Sequence, residues 1–244
     1  MGAPLTDAAI EKLRELIISG HYPSGAKLPP EAELAAELGL SRNTVREAVR
    51  ALSTARVLDV RRGDGTYVTS LRPELLLEGI AFAVDLMHED SGLELLQVRR
   101  ILEPAATALA AAQPSPETIA ELEHTLAMMQ ESSADLEEFV RYDAEFHARI
   151  AQASGNQTLA SMLNGVSSHA FRARVWQGII DTEAIARTIL EHHRILDAVR
   201  DGDAELARAT ALTHVCTTEE FIRRMIEART ESATKPRAVA KTKG

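Results

Sequence analysis

Aromatic side chains are scarce in this chain: one Trp, three Tyr and five Phe among 244 residues, 4% in all. Alanine and leucine supply the apolar content instead, and both favour helix over sheet. There is one cysteine, Cys216, which excludes an internal disulfide. Its expected role is a small buried side chain on a helix. Apolar runs are too short to span a bilayer, and no signal peptide opens the chain. The expectation is a cytoplasmic protein without membrane contact. At 244 residues two domains with real cores are affordable.

Basic charge is in deficit, with 27 Lys+Arg against 36 Asp+Glu and a net charge of −9. The deficit is uneven. Residues 1–70 are balanced at nine of each sign, and residues 71–234 hold 14 basic against 27 acidic groups. Residues 235–244 hold four basic groups and no acidic ones. Phosphate contact is decided by local clustering, not by the total.

Clustering is what residues 41–50, S-R-N-T-V-R-E-A-V-R, provide. Arg42, Arg46 and Arg50 recur every four residues and line one helix stripe. Val45, Ala48, Val49 and Leu52 line the other side. Guanidinium forks suit phosphate oxygens and the O6/N7 edge of guanine. Upstream, Glu31 to Leu38 is a second apolar-periodic segment, followed by a Gly39-Leu40 turn, which gives the layout of a helix-turn-helix. Ala8 to Ser19 predicts a further helix, with Ile10, Leu13, Leu16 and Ile17 on one side. Downstream, Val57 to Val60 predicts a strand, Arg61 to Gly65 a turn and Thr66 to Val68 the returning strand. The product is a small β-hairpin wing with Arg61, Arg62 and Gly63 at its tip. Arginines at helical spacing are more often a solvated face; the preceding helix, turn and wing in this order favour DNA contact.

In that order, G-H-Y-P-S-G-A-K-L-P-P-E-A-E-L-A, L-S-R-N-T-V-R-E-A-V-R-A-L and R-R-G-D-G-T-Y-V resemble the GntR winged helix-turn-helix, from about Leu5 to Thr69. The resemblance implies that Arg42 and Arg46 touch operator bases. It implies that Ser41, Asn43 and Thr44 hold phosphates or neighbouring bases, and that Gly63 lets the wing enter the minor groove. Arg50, further along the helix, fits a backbone contact or a surface position, and Arg62 joins the wing contacts. Two positions depart from the pattern. Ala32 stands where the family usually has arginine, and Arg56 where it usually has a glycine suited to a helix C-cap.

Leu71-Arg72-Pro73 marks the expected joint between a domain over 1–70 and a helical domain over 71–230. Helices are predicted at about 73–89, 92–112, 116–131, 135–153, 156–177, 182–201 and 203–229, separated by Gly, Pro, Ser and Asp breaks. The fold class is thus mainly α, with about seven helices in the C-terminal bundle. Residues 231–244 read as a basic disordered tail.

Within the helical body, Asp143 and His147 lie four apart on one helix face. His192 and His214 lie on two later helices, embedded among apolar neighbours. Three imidazoles and a carboxylate form a divalent-metal set suited to Zn, Ni or Mn. The bland reading of each histidine is a hydrogen-bonded core residue. D-A-E-F-H, S-G-N, E-H-H-R-I-L and a later lone histidine resemble the FCD ligand-binding domain of the FadR subfamily, over about Pro73 to Ala228. The resemblance implies that Asp143, His147, His192 and His214 are the metal ligands, and the E-H-x-x-I register selects His192 over His193. His21, His88, His124 and His169 have no such partners.

The FCD resemblance also implies a small organic acid as effector, often a sugar acid, hydroxy acid or dicarboxylate. Arg99, in V-R-R-I-L-E-P, is the first candidate to clamp it, with Arg172 and Arg174 weaker. An internal ion pair of Arg99 with Glu103 at i+4 is the equal alternative. Trp176 reads as packing. Glu145 is offset by two residues from both Asp143 and His147, so it faces away from them, and no nucleophile–base arrangement is evident. The expectation is therefore not an enzyme but a homodimeric DNA-binding regulator, more often a repressor, on a palindromic operator. The alternative is a metal sensor in which the cation itself is the signal.

Overall fold

The computed structural model describes residues 5–87, 92–167 and 182–234. The chain divides into two compact units, residues 1–79 and 80–244.

The first unit holds three helices, a hairpin and one short helical turn. Helix α1 (Leu5–Ile18) buries Ala9, Leu13 and Ile17, with Ile10 and Leu16 packed at the edge. Helix α2 (Glu31–Leu38) ends at Gly39, whose φ of 68° is the left-handed conformation that glycine adopts at least cost. Helix α3 (Arg42–Thr54) starts from Ser41, whose hydroxyl accepts from the Thr44 amide and supplies the N-cap. Its apolar stripe, Val45, Ala48, Val49 and Leu52, is buried against α1 and α2, so the arginine stripe faces solvent. Strands β1 (Leu58–Arg61) and β2 (Gly65–Val68) pair antiparallel, Leu58 opposite Val68 and Arg61 opposite Gly65. The turn is thus shorter than expected, since Arg61 and Gly65 belong to the ladder. Lys27 forms an isolated bridge to Tyr67 beside the hairpin.

The expected single helix over 73–89 is instead two pieces, α4 (Pro73–Leu76) and α5 (Glu78–Leu86). The chain leaves helical geometry at Leu77, two residues before Gly79, where helix propensity is weakest.

The second unit is a bundle of α6 (Gly92–Ala112), α7 (Pro116–Glu131), α8 (Leu136–Ala153), α9 (Gln157–Val166), α10 (Thr182–Arg200) and α11 (Ala204–Thr234), joined by most of α5. Ser115, Asp135 and Asn156 cap the starts of α7, α8 and α9 through side-chain oxygens. Leu96, Leu122, Leu126, Met129, Phe139, Phe146, Ile195 and Val199 form the core. Helix α6 packs on α8, α9, α10 and α11 and is buried on most of its circumference. Helix α9 stops at Val166, earlier than the segment expected to reach 177; residues 168–181 lie outside the described residues. Gly165 lies where α5 approaches closely: a Cβ there would stand 2.7 Å from Ile80 Cγ2. At the other end α11 continues to Thr234, so residues 231–234 are helical and not tail. Ala228, Arg229, Glu231 and Ala233 are good helix formers and extend it. Cys216 is half-buried, less covered than expected. No helix among the described residues is long and apolar enough to cross a membrane.

Candidate metal centre and DNA-reading face

Three helices bring one cluster together. Asp143 and His147 project from α8, His192 from α10 and His214 from α11, and one ligand atom from each lies within 4.8 Å of all the others. The i,i+4 spacing on α8 places its two donors one above the other. Asp143, His192 and His214 are buried, and the His147 side chain is only 9% exposed. Phe146 closes one wall, with its ring 4.7 Å from that of His192.

The orienting contacts decide which nitrogen of each ring faces inward. His192 Nδ1 is 2.7 Å from the Thr188 carbonyl oxygen, and His214 Nδ1 is 2.9 Å from Glu191 Oε2. A carbonyl or carboxylate oxygen can only accept, so each Nδ1 carries the proton and each Nε2 keeps its lone pair. His147 Nδ1 stands 3.6 Å from Glu103 Oε2, within ion-pair range but beyond hydrogen-bond reach, so no contact of this kind fixes its tautomer. Glu103 is in turn gripped by Arg99, Nε to Oε1 at 2.7 Å and Nη2 to Oε2 at 3.2 Å. Inside the cluster, His192 Nε2 is 3.1 Å from His147 Nε2 and 3.4 Å from Asp143 Oδ1, and His147 Nε2 is 3.8 Å from Asp143 Oδ1. Lone pairs converging on a carboxylate in a buried space are what a divalent cation satisfies, and oriented imidazoles are typical of metal ligands. The donor set fits such an ion: borderline nitrogen donors with one hard oxygen suit first-row divalent metals.

The four residues that the FCD resemblance implied as ligands, Asp143, His147, His192 and His214, are brought together. Sequence reasoning missed Glu191 and Thr188 as orienting groups, although Glu191 directly precedes His192. It weighed Glu103 only as a partner of Arg99. That pair is formed: Arg99 is 2% exposed and turned toward Glu103. Arg172 and Arg174, with Trp176, lie outside the described residues. Glu145 pairs with Arg149 and Arg141, away from the cluster, and His193 is exposed.

On the first unit, Arg42, Asn43, Arg46 and Arg50 are all exposed along α3. Ser41 and Thr44 share a hydroxyl–hydroxyl hydrogen bond of 2.8 Å. Arg50 pairs with Glu47 on its own helix, while Arg46 reaches across to Glu31 on α2. Arg62 and Gly63 stand exposed at the wing tip. The wing is braced by Asp64, which accepts from Lys27 Nζ at 3.0 Å and from the Tyr67 hydroxyl at 2.9 Å. The Lys27 bond, then the Tyr67 bond, hold the Asp64 carboxyl below the usual carboxylate range. Arg61 stacks over the Tyr67 ring at 4.2 Å. At position 56 the backbone has φ 59°, so the conformation that favours glycine is kept with an arginine in it. The Arg56 side chain pairs with Glu78 at 2.8 Å.

A winged helix with an exposed arginine stripe, followed by a helical bundle around a buried histidine–carboxylate cluster, is the layout of a transcriptional regulator. The comparisons agree. Residues 5–68 match the gntR family of bacterial regulatory proteins, and residues 94–216 match the FCD domain. The chain is 31% identical over 215 residues to the galactonate operon transcriptional repressor of Escherichia coli K12, covering 86% of this chain and 93% of that protein. It is 30% identical over 212 residues to the HTH-type transcriptional regulator LutR of Bacillus subtilis 168, covering 85% and 96%. A solved GntR structure from Streptococcus agalactiae aligns at a TM-score of 0.64 and 28% identity, over 88% of this chain and 99% of that one. The chain belongs to the GntR family of transcriptional regulators and has the winged-helix-plus-FCD architecture of the FadR subfamily. Family and relatives are regulators, not enzymes.

Proposed function

We propose that this regulator is a homodimeric repressor whose operator affinity is set by a small hydroxy acid bound at the Asp143–His147–His192–His214 cluster. The observation that supports the reading is the convergence of Asp143 and three histidines, with the His192 and His214 rings oriented by Thr188 and Glu191 and Glu103 standing beside His147. These residues would hold a divalent cation, Zn, Ni or Mn. Once bound, the cation supplies positive charge and open coordination positions for the acid's oxygens. Relatives named for galactonate and L-lactate dehydrogenase operons support a 2-hydroxy acid as the ligand class. Arg99 keeps Glu103 against His147, and Arg172 and Arg174 are candidates to grip the far end of the acid.

Arg42 and Arg46 would contact bases, with Ser41, Asn43, Thr44 and Arg50 along the backbone and Arg62 and Gly63 at the wing. One α3 reads too few base pairs alone, so two copies on a palindromic duplex are required. Coupling of about 1–3 kcal/mol between acid and operator would give 5- to 150-fold regulation.

The test uses the full-length protein stripped with chelator and refilled with Zn, Ni or Mn. Melting temperature and binding to a duplex selected from a random pool are measured with and without galactonate and L-lactate. Acid should stabilise only the refilled protein and should lower its duplex affinity. His192→Ala should abolish metal- and acid-induced stabilisation while leaving duplex binding by the metal-free protein intact. Normal stabilisation of that variant by acid would refute the metal-bridged pose. A refilled protein that switches duplex affinity with no acid present would replace the hydroxy-acid reading with metal sensing.

A further inference from the structure

Arg46 is tethered, and the tether comes from another helix. Its Nε lies 3.2 and 3.0 Å from the two oxygens of Glu31, and its Nη2 lies 2.8 Å from Oε2. Glu31 opens α2 and Arg46 sits one turn into α3, so the pair spans the helix-turn-helix junction. The side chains are 46% and 41% exposed. At that exposure an ion pair adds little to stability, so its geometry matters more than its energy.

A guanidinium group is planar and offers two forked edges. Glu31 occupies the Nε/Nη2 edge. Nη1 makes no described hydrogen bond and Nη2 keeps a second hydrogen beside it, so the Nη1/Nη2 edge still offers two parallel donors that match guanine O6 and N7. Glu31 is well suited to this task. The Arg46 hydrogen bond, helped by the charges of Arg46, Arg50 and Arg42, holds its carboxyl below the usual range, so it is ionised at neutral pH. Arg50 differs. Its partner Glu47 lies three residues away on the same helix and meets it through Nη1 alone. Arg46 is thus oriented by two elements at once, and Arg50 only by its own.

We propose that Glu31 is a specificity-determining positioning residue: it holds the Arg46 fork in the orientation that reads guanine, and its negative charge keeps Arg46 from settling on a phosphate. The inference rests on α3 being the base-contacting helix. Two consequences separate it from a merely structural role. Loss of Glu31 should weaken discrimination at one base pair per half-site. It should also strengthen non-specific binding, because an acidic group beside the duplex disappears.

The experiment uses the full-length protein and duplexes with a randomised core. Enriched sequences are followed by competition binding with single-base variants across a salt series. Arg46→Ala identifies the guanine that Arg46 reads. Glu31→Ala should flatten preference at that same guanine by about 10- to 100-fold, with other positions unchanged. Its affinity for random duplex should rise, and the log–log salt dependence should steepen by roughly 0.9. In an Arg46→Ala background, Glu31→Ala should add no further loss at that base. Glu31→Asp keeps the charge with a shorter reach, and its melting temperature serves as the folding control. Undiminished or sharper guanine preference in Glu31→Ala would overturn the inference and make Glu31 a competitor for Arg46. If Arg46→Ala alters no base preference, the placement of α3 on bases fails first and the role of Glu31 fails with it.

Discussion

Replacing Glu191 by Gln tests the proposed metal centre without touching any of its four proposed ligands. Glu191 Oε2 accepts from His214 Nδ1 at 2.9 Å, and both residues are buried, 8% and 3% exposed. Gln keeps the volume and can present its carbonyl oxygen to the same proton, but it removes the negative charge that makes the imidazole a stronger donor through Nε2. Loss of such an orienting partner weakens metal binding about 10- to 100-fold. At free metal equal to about 100 times the wild-type Kd, binding stabilises the wild type by about 2.7 kcal/mol. The same concentration then exceeds the variant's Kd by only about 10-fold or equals it, so stabilisation falls to between about 1.4 and about 0.4 kcal/mol. In a unit of this size, 1 kcal/mol moves the melting temperature by about 2–4 °C. A metal-induced rise of about 5–10 °C should therefore shrink to about 1–5 °C. Scanning fluorimetry of chelated and refilled protein reads this directly. A rise as large as that of the wild type would refute the argument that Glu191 orients His214 for a cation.

Two further expectations concern the first unit. Arg56 at φ 59° carries a strain that glycine would not, so Arg56→Gly should be more stable than Arg56→Ala by about 1 kcal/mol in urea unfolding; both lose the ion pair to Glu78, and equal stabilities would remove the strain argument. Burial, and then the hydrogen bond to Glu37, push the Tyr22 hydroxyl from 10.0 up to about 12, so the folded state holds its proton longer than the unfolded state does. The associated stability is complete below pH 10 and is lost as pH rises through about 12, an effect of about 1–2 kcal/mol that Tyr22→Phe should abolish in alkaline melts.

Different parts of the molecule were legible in the sequence to different depths, and the physical reason lies in how local each feature is. The arginine stripe and the Gly39 turn depend on neighbours within one or two turns, so spacing alone placed them, whereas the equally local Ser41 cap was not read. The hairpin was legible in the same way, with its turn overestimated because Arg61 and Gly65 pair. The break at Leu77 was not, because Glu78 and Gly79 interrupt a segment that remains apolar and helical in period. Arg56 was visible as a missing glycine, and the backbone keeps the shape that glycine would have served.

The cluster shows where one-dimensional reading ends. Four donors could be named because the FCD resemblance implied them, two on an i,i+4 face and two as histidines set among apolar residues. The groups that orient them could not, since each needs a distance between chain positions set by packing. His214 and Glu191 are 23 residues apart, and His147 and Glu103 are 44 apart on two different helices. The same holds for Glu31 and Arg46, which are 15 apart and meet because α2 packs on α3. In each pair a carboxylate on one helix stands against a nitrogen side chain on another. Acidic residues counted only as net charge therefore conceal part of what they do: Glu31, Glu103 and Glu191 each pair with a cationic or imidazole side chain on another helix, and on the reading proposed above each would act by aiming that group, which a search for groups that touch DNA or metal would not find.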